Sequence, residues 1–325
     1  MKEYRKALCL ALLVALAFGS VAAAGADNYP SKPIKLIVGF APGGVGDLTA
    51  RVVAAKLSTQ LGQQILIDNR PSAGGIVAAD AVAKADPDGY TLFLMSNGNA
   101  VSESLYKKLP YDISKDFAMV STLGFFDLAV VVKGDSKFNT IKDLLAWLNA
   151  NPGKANIGTI NIGSTQNLAA ELFVSMANID ATIVPYKGSP DVLVALRGND
   201  VQVAVDMLAP LVSQMKSGAV KVLAITADQR FAGRPDIPTV AESGVPGFQA
   251  SSWNAIAAPA KTPQAIVDKL NKEIQIALNS ADVKAKLLEL GVTARGGSPE
   301  DMRKLVASDV EKWGRVIEKA HIEKQ

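Results

Sequence analysis

Two glycine-rich turns, each set between an apolar strand-like run and a helix-like run, constrain this chain more than any other feature. The first is Ala41-Pro42-Gly43-Gly44-Val45-Gly46-Asp47, which follows Ile34–Phe40 and precedes a segment beginning Leu48-Thr49-Ala50-Arg51. The second is Ile160-Asn161-Ile162-Gly163-Ser164-Thr165, between Ala155–Thr159 and Gln166–Ala177. A glycine turn that opens a helix presents free backbone N–H groups and the positive end of the helix dipole, and both attract anions. Two such turns suggest a clamp that closes on a small anion from both sides.

The rest of the chain repeats the same alternation. Further strand candidates are Gln64–Asp68, Thr91–Ser96, Phe117–Leu123, Leu128–Lys133, Ala181–Pro185, Val201–Val205 and Val220–Ala227. Between them lie helix-like stretches at Leu48–Leu61, Ile76–Ala83, Ile141–Asn149 and Ser189–Leu196. This is the pattern of α/β units with largely parallel sheets. Three helices close the chain, at Pro263–Ser280, Ala281–Leu290 and Pro299–Lys319, and Thr262-Pro263 and Ser298-Pro299 start two of them.

The amino terminus reads as a secretory signal. Lys2, Arg5 and Lys6 make a basic start, Ala7–Phe18 is apolar, and Ala22–Ala26 supplies small residues, so residues 1–26 are assigned to the signal, with cleavage after Ala26 or Ala24. The one cysteine, Cys9, falls inside it, which excludes disulfides, thiol nucleophiles and Cys-based metal sites from the rest. Of 34 basic and 31 acidic residues the signal holds three and one, so the remainder is near neutral, unlike a nucleic-acid binder. The one histidine, His321, sits near the chain end as a solvated tail residue, far from any triad or metal cluster. Export and soluble character point to the periplasm.

About 299 residues exceed one typical core, so two lobes are expected. Leu128–Lys133 and Ser251–Ala258 are extended, apolar and flanked by turn residues, as crossings between lobes would be. The expected division is 27–126 plus 252–325 as lobe 1 and 127–251 as lobe 2, with one glycine turn in each.

An ordered set of short motifs runs through the chain: Tyr29-Pro30-Ser31-Lys32-Pro33-Ile34, Pro42-Gly43-Gly44 with Asp47 and Ala50-Arg51, and Asp68-Asn69-Arg70-Pro71 with Ala73-Gly74-Gly75. It continues with Pro87-Asp88-Gly89-Tyr90-Thr91-Leu92, Leu109-Pro110-Tyr111-Asp112, Val184-Pro185-Tyr186-Lys187-Gly188 and Ala258-Pro259-Ala260-Lys261-Thr262-Pro263. In this set the chain resembles the substrate-binding proteins of tripartite tricarboxylate transporters, the Bug family. The resemblance implies a two-lobed α/β clamshell of the periplasmic-binding-protein type (type II-like) with a hinge between lobes. It implies a small carboxylate ligand (a di- or tricarboxylate, an aromatic acid or an acidic amino acid) delivered to a membrane permease. It also implies that one carboxylate is held by backbone groups of the two turns. Where such proteins commonly read Gly-x-Gly-Ser-x-x-His, this chain has Asn161-Ile162-Gly163-Ser164, with Asn167 in the histidine-like place. Asn167 keeps hydrogen-bonding capacity without a positive charge. Either the preference moves away from highly charged ligands or it is unchanged.

The candidate ligand-binding residues are Phe40, Ala41, Gly43, Gly44, Asp47, Ser96, Asn97, Gly163, Ser164, Thr165, Asn167, Tyr186 and Asp206. Several have structural alternatives. Gly43 and Gly44 suit a tight turn; Asp47 suits a helix cap, or a ligand amine, and Arg51 pairs with it at i,i+4. Phe40 fits a core or a cleft wall, and Ser164 and Thr165 fit a cap that also meets ligand. Ser96, Asn97 and Asp206 end strands, where open α/β sheets border their ligand crevice. No catalytic residue, cofactor or metal is expected, and the protein is read as a monomeric receptor. A receptor that signals to a membrane sensor kinase is the alternative. A dinucleotide enzyme fits poorly, because Gly43-Gly44-Val45-Gly46 lacks the G-x-G-x-x-G spacing despite Asp68 lying 22 residues on.

Overall fold

A computed structural model describes residues 28–325. The signal segment and its cleavage positions lie outside the described residues. The chain begins with β1 (Ile34–Val38), α1 (Val45–Leu61), β2 (Ile65–Asn69), α2 (Ile76–Ala83), β3 (Thr91–Ser96) and α3 (Asn97–Leu105). A long strand, β4 (Phe117–Lys133), leads to α4 (Ile141–Ala150). The same succession then repeats as β5 (Asn156–Ile160), α5 (Thr165–Ala177), β6 (Thr182–Tyr186), α6 (Ser189–Gly198), β7 (Val203–Met207) and α7 (Leu208–Lys216). The chain ends with β8 (Val220–Ile225), β9 (Ser251–Pro259), α8 (Gln264–Asn279), α9 (Ala281–Glu289), β10 (Val292–Ala294) and α10 (Pro299–Lys319).

The two βαβαβα units are wound identically. In the first, β1 lies between β2 and β3 and pairs with both in parallel; in the second, β5 stands in that place between β6 and β7. Each unit is extended by an antiparallel strand, β9 beside β3 and β4 beside β7. The connected order is β2-β1-β3-β9-β4-β7-β5-β6. β4 makes the join: its first part pairs with β9 as far as Asp127↔Ser251, and from Leu128 onward it pairs with β7 and β8.

Alternation along the strands sends side chains into separate cores. Leu36 and Val38 of β1 pack with Leu57 of α1 and Leu270 of α8, whereas Ile37 faces Ala78 of α2 and Met302 of α10. In β4, Leu128, Val130 and Val132 join α4 and α5, and Ala129 and Val131 join α6 and α7. Nearly every strand position is apolar because both sheet faces are covered, as parallel sheets require. α10 reaches both halves. Its Met302 and Val306 lie in the first half's core, and its Trp313 and Ile317 lie with Leu168 and Phe173 of α5. A capping box between Ser298 and Asp301, with Pro299 at the first turn, fixes where that helix starts.

Several elements differ from the sequence reading, the short strand β10 among them. Phe117–Leu123 and Leu128–Lys133 are one strand, because Gly124 does not break β4; it makes room for β10. A Cβ there would stand 2.5 Å from Val292 Cγ1. α3 and α7 escaped notice since each begins directly at a strand end, in Asn97-Gly98-Asn99 and Leu208-Ala209-Pro210, both of which look like turns. The glycine turn after β1 also touches the turn after β2: a Cβ on Gly39 would lie 2.8 Å from Gly75 Cα. Backbone on backbone cannot give way as a side-chain tip can. Gly39→Ala should therefore destabilise the protein by about 1–3 kcal/mol, read as a lowered urea midpoint with unchanged slope.

Candidate anion-binding site

All six parallel strands point their carboxyl ends at the crevice between the halves, and a helix starts from each. The two glycine turns are built alike. Gly43 and Gly163 both have positive φ, 84° and 78°. The N–H of Gly43 donates to Asp47 Oδ2 at 2.9 Å, and the N–H of Gly163 donates to Asn167 Oδ1 at 3.0 Å. Each turn is thus latched by the side chain four residues on. Asp47 Oδ2 also accepts from Arg51 Nε at 2.9 Å, and its Oδ1 from Asn69 Nδ2 at 2.8 Å. Burial pushes the Asp47 carboxyl up, but these hydrogen bonds prevail and hold it below the usual carboxylate range. Asn167 is buried and reaches Thr159 Oγ1 with its amide nitrogen. Both side chains serve their own turns.

The turns do not face each other across one cavity. The second meets α3: Asn97 Nδ2 donates to Thr165 Oγ1 at 2.9 Å, and Gly163 lies against Leu105. Asn97 Oδ1 in turn accepts from Trp313 Nε1 at 2.8 Å. Ser164 caps α5 by accepting from Asn167 N–H at 3.1 Å, and Ser96 and Asn99 form a capping box on α3. Here the halves touch directly, through side chains already committed to each other.

The first turn meets α7 instead, and a cavity of about 240 Å³ lies between them. Phe40, Gly44 and Gly46 form one wall; Met207 and Ala209 of the other half form the facing wall. Neither α1 nor α7 has a side-chain cap, so no side chain among the described residues takes the N–H groups of Val45 and Gly46 in α1 or of Leu208 and Ala209 in α7, where Pro210 has none. Asn254, from β9, closes the base. It is 1% exposed, and its Nδ2 has no hydrogen-bond partner among the described residues. Gly46 must be glycine for this contact, since a Cβ there would sit 2.7 Å from the Phe40 ring and 3.2 Å from Asn254 Nδ2.

Asp127 lines the same cavity, at the residue where β4 leaves β9 for β7. It is 5% exposed. Burial first, and then the nearby Asp228 charge, push its carboxyl up to about 7, with no hydrogen bond to offset them. Asp228 itself is met by Arg295 at 3.4 Å.

Of the residues singled out from sequence, Phe40 and Gly44 line this cavity. Ala41 and Gly43 lie exposed on the same turn. Ser96, Asn97, Gly163, Ser164, Thr165 and Asn167 belong to the α3–α5 contact. Tyr186 borders a separate open hollow with Ile162 and Lys187. Asp206 is fully buried; its Oδ1 accepts from Ser189 Oγ and from Met207 N–H, both at 2.8 Å, and more distantly from Gln166 Nε2 at 3.4 Å. Burial raises its pKa despite those bonds. Asn254 and Asp127 were not anticipated. Each is a lone polar residue in a long apolar run, Trp253–Pro259 and Phe125–Val132, and that is the signal they left. A larger groove of about 560 Å³ lies on the opposite face of the β4–β9 ribbon, beside Phe125, Trp253 and the mixed charges of Glu171, Asp309, Lys312 and Arg315. It has no helix start aimed into it. No cluster of three metal-binding side chains occurs among the described residues, nor any helix long and apolar enough to cross a membrane.

The Asp127 shift carries a stability prediction. Its folded pKa is raised, so the folded state holds a proton that the unfolded chain has already released between about pH 4 and pH 7. Over that window this group should lower stability by about 1.4 kcal/mol per pH unit as pH rises. Asp127→Asn should remove that slope, so the variant should gain on the native protein from pH 4 to pH 7 in urea titrations.

Comparison with known proteins agrees with this architecture. Protein BugT of Bordetella pertussis is 36% identical over 301 residues, covering 92% of this chain and 92% of that protein. The solved structure of R. palustris Rpa4515 with adipate is 34% identical, with a TM-score of 0.76 over 90% of this chain and 99% of that one. MatC (Rpa3494) from Rhodopseudomonas palustris with bound malate is 32% identical, with a TM-score of 0.71 over 89% and 100%. The sequence model described as tripartite tricarboxylate transporter family receptor matches residues 49–322, and the chain belongs to that family.

Proposed function

We propose that this protein is a solute receptor that captures a small carboxylate in the cavity between α1 and α7 and presents it to a membrane permease of the tripartite tricarboxylate type. One observation carries the reading: two helix starts without side-chain caps, one from each half, converge with the unpartnered Asn254 amide on a single cavity. A carboxylate there accepts hydrogen bonds from backbone N–H groups whose direction is fixed before it arrives, so little reorganisation opposes binding. Each helix end favours an anion by about 0.3–2 kcal/mol. Charge-assisted hydrogen bonds add about 1.5–3 kcal/mol apiece. Several together reach the roughly 8 kcal/mol of micromolar capture, whereas either helix end alone falls far short.

The relatives solved with adipate and malate support a small dicarboxylate as the ligand. A cavity of about 240 Å³ suits such a ligand and is far too small for a dinucleotide. Binding and release are the whole of the activity, with no covalent step. The lobes divide where β4 passes between halves and where the chain returns into β9, at 126/127 and 251/252, and closure about those two points lets ligand contacts from both sides stabilise the shut form that the permease reads. The basic and apolar start of the chain directs export to the periplasm, where the receptor acts as a monomer.

The test is calorimetric titration of protein that has been unfolded and refolded to remove carried-over ligand. Adipate and malate should bind in the micromolar range, and the uncharged diamide of adipate should not. Asn254→Leu should abolish binding yet leave the empty protein at least as stable, because it removes a buried donor that lacks a partner. Equal binding of acid and diamide would overturn the anion reading.

A further inference from the structure

Asp127 is an acid in the wall of a cavity otherwise arranged for an anion, and that conflict has a chemical resolution. Around it the cavity offers no other ionisable side chain: α1 contributes Gly44 and Gly46, α7 contributes Ala209, and the turn before β10 contributes Leu290 and Gly291. The charged groups outside the cavity are Asp228, in the segment after β8, and Arg295, after β10, which pairs with Asp228. No cation faces Asp127 directly. As a carboxylate it stands against both Asp228 and any bound anion; as a neutral acid it is a hydrogen-bond donor in a site that recognises acceptors.

Resting on the carboxylate reading above, we propose that Asp127 sets which anions the cavity admits: in its neutral form it donates a hydrogen bond to a ligand oxygen, and in its ionised form it expels the ligand. A bound anion adds a like charge beside Asp127 and so strengthens its hold on the proton. With the empty-state carboxyl near 7, about half of the molecules carry that proton at neutral pH, and capture should take up the missing half. The proton comes from solvent and returns to it on release; no covalent bond is made or broken elsewhere. A dicarboxylate, with more acceptor oxygens and more charge, should feel this more than a monocarboxylate. Binding becomes sensitive to pH although the recognising backbone groups do not titrate.

The experiment is titration calorimetry with adipate from pH 7 to pH 9, where adipate keeps its full charge, run at each pH in two buffers of different ionisation heat. The native protein should take up about half a proton per ligand at pH 7 and about one at pH 9, with affinity falling roughly tenfold per pH unit above pH 8. Asp127→Asn fixes a neutral side chain at this position and should show affinity changing less than twofold over the range, with no buffer-dependent heat. At pH 9 the variant should bind more tightly than the native protein. Adipate bound with no proton uptake, or the same pH profile in both proteins, overturns the role of Asp127 and leaves the carboxylate receptor standing. Absence of adipate binding at every pH in both proteins overturns the receptor reading and this inference with it.

Discussion

The structure hangs on the passage of β4 from one sheet half to the other. A seventeen-residue strand is long for a globular protein, and it can be that long here only because its partners change along it. Up to Asp127 it is held by β9, and from Leu128 by β7 and β8. Two independently wound βαβαβα units thereby share one ribbon, and the carboxyl ends of their parallel strands are brought to a common crevice. The site depends on that geometry: helix starts face one another because the strands they leave are joined edgewise by a strand that belongs to both units.

The two units are equivalent in winding, yet their crevice contacts are not. By the repeat, α1 corresponds to α5 and α7 to α3, so the α1–α7 junction and the α5–α3 junction are the same junction seen from opposite units. At α5–α3 the side chains of Ser164, Thr165, Asn97 and Ser96 satisfy each other, and Leu105 fills the space beside Gly163. At α1–α7 the corresponding residues are Gly44, Val45, Met207 and Leu208, whose side chains have nothing to donate. One junction is a fixed contact and the other leaves a cavity. The resident carboxyl of Asp47 is held on both oxygens by donors beside its own turn, whereas Asp206 is bonded through Oδ1 alone and keeps a buried Oδ2 without a partner among the described residues.

Much of this was legible in the sequence. Alternating apolar runs gave the α/β class, and Thr91–Ser96, Ile76–Ala83 and Pro299–Lys319 are found at those very bounds. Glycine turns marked the right end of the sheet. What could not be read was which turn opposes which. Pairing across the crevice depends on the order of strands in two sheets, and two similar turns invite the inference that they face each other. The choice between cap and ligand also depends on tertiary partners: Asp47 and Asn167 are short polar residues at identical offsets, and only the folded chain shows both latched to the glycine amide behind them. Asp127 and Asn254 were hidden for the opposite reason. Each interrupts a buried strand, and a polar residue in such a run takes its meaning from the space it faces.

The most direct test of the account is a crystal structure of the refolded protein grown with adipate. The account places one carboxylate at the start of α1, with its oxygens about 3 Å from the N–H groups of Val45 and Gly46 and from Asn254 Nδ2, and with α7 closing the other side. A carboxylate bound instead at Ser164 and Thr165, or in the groove beside Trp253 and Lys312, would contradict it.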